Sequence, residues 1–185
     1  MIMKESAAFI AVVVCIFCAS SGFSAPWEQD LGTLGKITLE SQSKPGFIAH
    51  FDRLLLTPGK AGAPAREVFN SKGQEIIRLE KTDLNQDGKS QILVTLDTGG
   101  SGGFIEYVLL VPSADSLTPM EVGETFKGGE ARIEAFGKDG NKAIIISHFS
   151  DQENEESPPP RIESVFTLSD GKIKELNSAF GTSKP

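Results

Sequence analysis

Cysteine is almost absent from this 185-residue chain. Cys15 and Cys18 are the only two, and both fall within the first two dozen residues. If that segment is removed as a leader, the remainder forms no disulfide and no thiolate metal site, and it offers no cysteine nucleophile. Histidine is as rare, with only His50 and His148. A zinc site needs three or four ligands from a spaced cluster, so none is expected. Basic residues are outnumbered, 18 Lys and Arg against 25 Asp and Glu, for a formal net charge of -7. A nucleic-acid partner is therefore not expected, because phosphate backbones are held by basic patches. Beyond the leader no apolar run approaches the roughly 18 residues of a spanning helix. No segment carries a long apolar stripe at 3.6-residue spacing, which leaves little room for helix.

What the chain does have begins with the order of a secretory signal. Lys4 gives a positive start, with Glu5 beside it, and Ala7 to Cys18 is an apolar core. That core suits a signal h-region and is too short to cross a bilayer. Small residues follow, and cleavage is expected after Ser24, with Gly22 three positions before the cut. Ser21 is the competing site. Bulky Val14 and Phe17 precede the two cysteines, where a lipidation signal has a small residue. The segment carries one Lys and one Glu, so its loss leaves the charge at -7. The expected mature chain, Ala25–Pro185, is a single exported domain, periplasmic or secreted. Export without disulfides fits a bacterial envelope protein better than a small disulfide-rich secreted module. The acidic surface suits solubility, cations or basic partners.

Most of the remainder reads as short strands bounded by Gly, Asp and Pro. The expected strands are Lys36–Glu40, Phe47–Leu56, Glu67–Phe69, Glu75–Glu80, Gln91–Asp97 and Phe104–Val111, then Arg132–Phe136, Ala143–Phe149, Ile162–Leu168 and Lys172–Leu176. Lys138-Asp139-Gly140-Asn141 and Ser169-Asp170-Gly171-Lys172 are expected hairpin turns, since Asp-Gly tolerates the positive φ they require. Ala61–Glu67 is a candidate short helix or loop. Asp151–Pro160 is acidic, then proline-stiffened, and is expected to be an exposed loop.

The chain also echoes itself. Asp87-Gly88 followed by Ile92-Leu93-Val94 returns as Asp139-Gly140 followed by Ile144-Ile145-Ile146, 52 residues on. Ile105-Glu106-Tyr107-Val108 returns as Ile162-Glu163-Ser164-Val165, 57 residues on. Units of this length are the size of a small β-sheet or propeller blade. The expected fold is thus all-β, with two related antiparallel β units of about residues 65–115 and 120–176. They are expected to be blade-like or to pack as a sandwich.

Asp83-Leu84-Asn85-Gln86-Asp87-Gly88-Lys89 is the most specific stretch. Oxygen side chains recur at alternate positions, a spacing that lets a loop wrap a hard cation such as Ca²⁺. Asp83, Asn85 and Asp87 are the side-chain candidates. Gly88 permits the turn that brings in the backbone carbonyl of Lys89. The motif resembles the calcium loops of FG-GAP and VCBS-type repeats, from roughly Ile76 to Val111, with a degenerate second copy in which Ala135 and Gly137 replace the first two ligands. The resemblance implies a secreted β repeat used for adhesion or recognition. It implies a ninth-position ligand as well, where this chain has the neutral Gln91 in place of an acid, which should lower affinity. An EF-hand fits worse, because Val94 stands where a bidentate Glu is needed.

Other motifs carry less. Gly99-Gly100-Ser101-Gly102-Gly103 matches G-x-S-x-G, and Asp139 and His148 follow in hydrolase order. The nucleophile elbow must open a helix, however, and a strand is expected at Phe104. Gly88-Lys89-Ser90 ends like a phosphate loop, but Asp83 would repel phosphate at the motif's first glycine. The expectation is a non-enzymatic calcium-binding domain with a binding or structural role at the bacterial cell envelope. Its partner would be an envelope or extracellular protein or a glycan. The alternatives are a small serine hydrolase using Ser101 and a module that binds protein through an exposed strand edge.

Overall fold

Burial along one strand decides how this chain is layered. In the computed structural model, which describes residues 27–41, 52–137, 140–150 and 159–176, the strand Gln91–Asp97 is buried at six consecutive positions. A strand buried on both faces must lie between two other layers. Three antiparallel sheets supply them. The first joins β1 (Glu28–Asp30), β2 (Lys36–Ser41), β3 (Asp52–Thr57) and β4 (Arg66–Asn70). The second joins β5 (Glu75–Thr82), β6 (Gln91–Asp97), β7 (Phe104–Ser113) and β8 (Ser116–Glu121), and the two-residue β9 (Phe126–Lys127) pairs with β7. The third joins β10 (Glu130–Ala135), β11 (Lys142–Phe149), β12 (Arg161–Ser169) and β13 (Lys172–Leu176). Each sheet is a meander in which consecutive strands are neighbours, apart from β9, which pairs back onto β7.

The fold is all-β. A single 3₁₀ turn, Gly32–Leu34, is the only helical element among the described residues. Ala61–Glu67 forms no helix; it turns and then enters β4 at Arg66. The first sheet adds a meander to the two units read from sequence, and Arg66–Asn70 belongs to it. The expected turn at Asp170-Gly171 is present: Ser169 pairs with Lys172, and φ is 54° and 68° at the two loop residues. Such a two-residue loop with both φ positive matches strand twist. In the other expected turn Phe136 N–H donates to Asn141 O at 2.7 Å. Lys138 and Asp139 lie outside the described residues. So do His50, the expected strand residues 47–51, the leader, and residues 151–158 of the acidic loop.

Alternate residues of the middle sheet serve two cores. Ile92, Val94, Leu96, Val108 and Leu110 pack with Ile37, Leu54 and Leu56 of the first sheet. Leu93, Tyr107 and Leu109 pack with Ile144, Ile146 and Phe166 of the third. Each such aliphatic side chain contributes roughly 1.5–3 kcal/mol when fully buried. The echo at an offset of 52 keeps this phase, since Ile92 and Val94, like Ile144 and Ile146, face the preceding sheet. The echo at 57 does not. Pairing sets Leu110 opposite Ile92 and Phe166 opposite Ile144, one residue short of that offset, and a one-residue slip turns every side chain to the other face.

Polar contacts hold the layers together. Asp52 is 3% exposed. Its carboxylate accepts the Ser41 hydroxyl at 2.5 Å and the Ile76 N–H of β5 at 3.0 Å, while Ser71 Oγ accepts its N–H at 3.2 Å. Lys81 Nζ donates to Asp30 O at 2.7 Å. Gly35, at φ 107°, lies so close to β3 that a Cβ there would stand 2.1 Å from Thr57 O.

Candidate functional site

Residues 83–90 join β5 to β6 across the paired Thr82 and Gln91. Leu84 anchors the loop. It is 1% exposed in the core between the second and third sheets, and its carbonyl accepts Lys142 N–H at 2.8 Å. Gln86, at φ 55°, donates through its amide to Gly140 O. The loop therefore clasps the β10–β11 hairpin of the neighbouring sheet. Gly88, at φ 79°, makes the turn expected of it, a conformation glycine adopts without steric cost.

The candidate ligands are distributed as follows. Asp83 Oδ2 accepts Gly88 N–H at 3.0 Å; its Oδ1 is buried and has no hydrogen-bond partner. Asp87 is exposed and accepts Lys89 N–H at 2.8 Å. Gln91 is 1% exposed. Its Oε1 accepts Leu84 N–H at 2.8 Å, and its Nε2 donates to Lys89 O at 2.8 Å and Asn85 Oδ1 at 3.3 Å. The Leu84 donor fixes which way this amide faces, because a reversed amide would oppose two donors. Gln91 thus gathers Asn85 and Lys89 around one amide nitrogen, while Asp87 stays at the rim. Among the described residues no group of three or more His, Cys, Asp or Glu is placed to hold a metal. The loop has two acids, and its other oxygens are neutral.

Ser101 lies exposed in the glycine loop between β6 and β7, and the element that follows is a strand. His148 is buried and engaged elsewhere. Nδ1 is 3.1 Å from Phe149 O and Nε2 is 3.1 Å from Ser164 Oγ. The carbonyl requires a proton on Nδ1, and Nε2 meets the Ser164 hydroxyl, which can either donate or accept. The ring also sits edge-on to Phe126 at 4.8 Å. His148 is a core histidine with satisfied partners, and nothing aligns it with Ser101.

A second feature carries no sequence motif. A cleft of about 430 Å³ opens between the second and third sheets, lined by Ile77, Arg78, Thr95, Tyr107, Ala131 and Arg132 among others. Tyr107 is 3% exposed, and its phenol oxygen has only a poorly aligned hydrogen bond with the Ala131 main chain. Burial pushes the phenol up to about 12, against the opposing influence of the Ala131 main chain and the Arg78 charge. The hydrogen bond to Glu163 raises Arg132 above the usual arginine value, with Glu134 adding to it. The one available sequence signal was that Tyr107 is the only tyrosine in the chain.

These features place the protein among all-β proteins built from stacked antiparallel meanders. No family model, no curated protein and no solved structure matches the chain.

Proposed function

We propose that this protein is a non-enzymatic, exported β-domain in which the 83–91 loop takes Ca²⁺ as a structural ion. On this reading it serves a binding or supporting role at the bacterial cell envelope, in the periplasm or outside the cell. The observation that carries the reading is the buried, unpartnered Oδ1 of Asp83. Buried acceptors are nearly always satisfied, and this one lies in a loop whose other oxygens come from Asn85, Asp87 and Lys89. Those four residues would hold the ion, with Gln91 bracing Asn85 and the Lys89 carbonyl. The ion would supply neutralising charge to the two acids.

Because the loop grips the third sheet through Leu84 and Gln86, the gain would appear as tighter docking of that sheet. Export rests on the leader alone. No helix among the described residues is long and apolar enough to cross a membrane. The rival readings have less behind them. Among the described residues, His148 is engaged with Phe149 O and Ser164 Oγ and not with Ser101. The long edge strand β5 is broken by a bulge at Ile77, and edge strand β8 contains Pro119, both of which blunt strand addition.

Calorimetric titration of Ca²⁺ tests the proposal. One ion per chain is expected, with a rise in melting temperature that follows RT ln(1 + [L]/Kd). Both should be lost in Asp83→Asn/Asp87→Asn. No heat and no thermal shift at millimolar Ca²⁺ would reduce the loop to a turn held by Gln91.

A further inference from the structure

The edge of a sheet presents unpaired main-chain groups, and proteins blunt such edges in recognisable ways. Here β1 is three residues long. β4 and β5 are each interrupted by a register shift, at Val68 and at Ile77. β8 contains Pro119, and β13 carries Lys172 and Lys174. The edge strand β10 has neither proline nor bulge, and it pairs with β11 over Glu130–Ala135 without a break.

The phase of its hydrogen bonds shows which residues face outward. Phe136 N–H donates to Asn141 O at 2.7 Å across the hairpin. Bonded and non-bonded pairs alternate along an antiparallel ladder, so Glu134, Arg132 and Glu130 bond to β11. Ala131, Ile133 and Ala135 then turn their N–H and C=O groups away from the sheet. Ala131 is approached from its own chain, by the Tyr107 phenol and by Arg78 Nη1 at a long 3.5 Å from its carbonyl. Ala135 is exposed.

The same stretch is self-complementary in the antiparallel sense. A second Ala131-Arg132-Ile133-Glu134-Ala135 laid against the first about Ile133 sets Arg132 opposite Glu134 twice. It also sets Ile133 opposite Ile133 and each Ala131 opposite an Ala135. The bonding phase agrees with this register. The outward-facing Ile133 and alanines form the bonded pairs, and Arg132 meets Glu134 in the closer non-bonded pairs, where side chains interact most. A two-fold axis at Arg132 would instead oppose Arg132 to itself and Glu130 to Glu134. An axis at Glu134 would oppose two glutamates. The charges that repel a misregistered strand therefore favour one register. On the sheet below, the bulge leaves Ile77 49% exposed in the cleft it shares with Ala131 and Arg132, so an apolar side chain flanks the free edge. We infer that the partner of the β10 edge is a second copy of this chain, joined in an isologous two-fold dimer that continues the third sheet across Ile133. The inference does not depend on the ion loop.

Sedimentation velocity of the protein, from micromolar to near-millimolar concentration, tests it. A monomer–dimer equilibrium is expected. Arg132→Glu and Glu134→Arg should each weaken the dimer about tenfold or more, because like charges directly opposite are destabilising and the axis counts each substitution twice. Mixed together, these two variants should associate again, since one offers two glutamates to the other's two arginines. The double variant Arg132→Glu/Glu134→Arg should dimerise as wild type does. Ala135→Pro removes an outward N–H that the β10–β11 ladder does not use. It should weaken the dimer and leave the circular dichroism spectrum unchanged. It decides the matter if the charge variants misfold, for Arg132 also pairs with Glu163 of its own chain. A monomer at every concentration would overturn the inference. So would a dimer indifferent to these variants, folded charge variants that mixing does not reunite, or growth beyond the dimer, which a closed two-fold forbids.

Discussion

The state of the Tyr107 hydroxyl can be read directly, because the chain has no other tyrosine. Tyrosinate absorbance in an alkaline titration therefore reports this phenol alone. In the folded protein the midpoint should lie near 12, against an ordinary 10, chiefly because burial disfavours the charged form. Glu130 adds to the rise, while the Ala131 main chain, Arg78 and Arg161 oppose it.

The shift carries a stability consequence of definite sign. The folded state holds the phenol proton more tightly than the unfolded chain. Below pH 10 both states keep it, and the contribution to stability is fully present. Between pH 10 and 12 the unfolded chain ionises first, and the contribution is lost as pH rises. Two pKa units correspond to about 2–3 kcal/mol, a sizeable part of the roughly 5–15 kcal/mol typical of a domain. Urea denaturation at steps from pH 9 to 12 should show wild type losing this amount relative to Tyr107→Phe, which shares every other titrating group. If the protein unfolds before the midpoint, tyrosinate should appear together with the unfolding transition. A midpoint near 10 in protein that is still folded by circular dichroism would refute the burial argument and, with it, the view of this hydroxyl as an unmet donor.

Three further outcomes follow from the packing. Asp52→Ala should cost about 1–3 kcal/mol in urea denaturation, because it leaves the part-buried Ile76 N–H unpaired, whereas the exposed Ser41 hydroxyl can turn to water. Gly35→Ala should destabilise by about 2 kcal/mol or more, since φ is 107° and the new Cβ meets Thr57 O; an unchanged denaturation midpoint would contradict the close approach of the first sheet's strands. Leu84→Ala should cost about 2–5 kcal/mol as a core truncation. It should also speed hydrogen exchange at Lys142, whose N–H it helps to shield, and a change confined to the loop would argue against the clasp.

Strands were legible where both faces of the chain had something to say. Gln91–Asp97 and Lys172–Leu176 were read with the ends the structure has, and β7, β11 and β12 extend theirs by a residue or two. Apolar runs bounded by Asp-Gly turns leave little choice there. β8 was missed because it is an edge strand that buries little beyond Leu117, and its Pro119 reads as a turn. β1 and β9, at three and two residues, are too short to show any period. At the loop, the alternation of Asp83, Asn85 and Asp87 was plain. Leu84 lies between Asp83 and Asn85 in that stretch, and only the third sheet makes it a core residue. The role of Gln91 was hidden too, because its amide is oriented by a backbone donor seven residues away in sequence.

The cleft was illegible for a different reason, which bears on how this architecture makes sites. By strand pairing, Tyr107 in the second sheet corresponds to Glu163 in the third, and Thr95 corresponds to Ser147. The paired positions point the same way relative to their own sheets. Tyr107 and Thr95 meet another layer and are buried. Glu163 is exposed and pairs instead with Arg132. Residue type therefore follows the presence of a following layer rather than position in the meander. A repeat motif records what each meander shares, whereas the cleft is made from what the second sheet gains by having a neighbour. Its chemistry comes from β5, β6 and β7 on one side and β10 and β11 on the other, so neither unit alone contains it. In a stack of this kind, binding sites are to be sought at the inter-sheet seams, where bulges such as that at Ile77 interrupt the otherwise continuous packing of one face against the next.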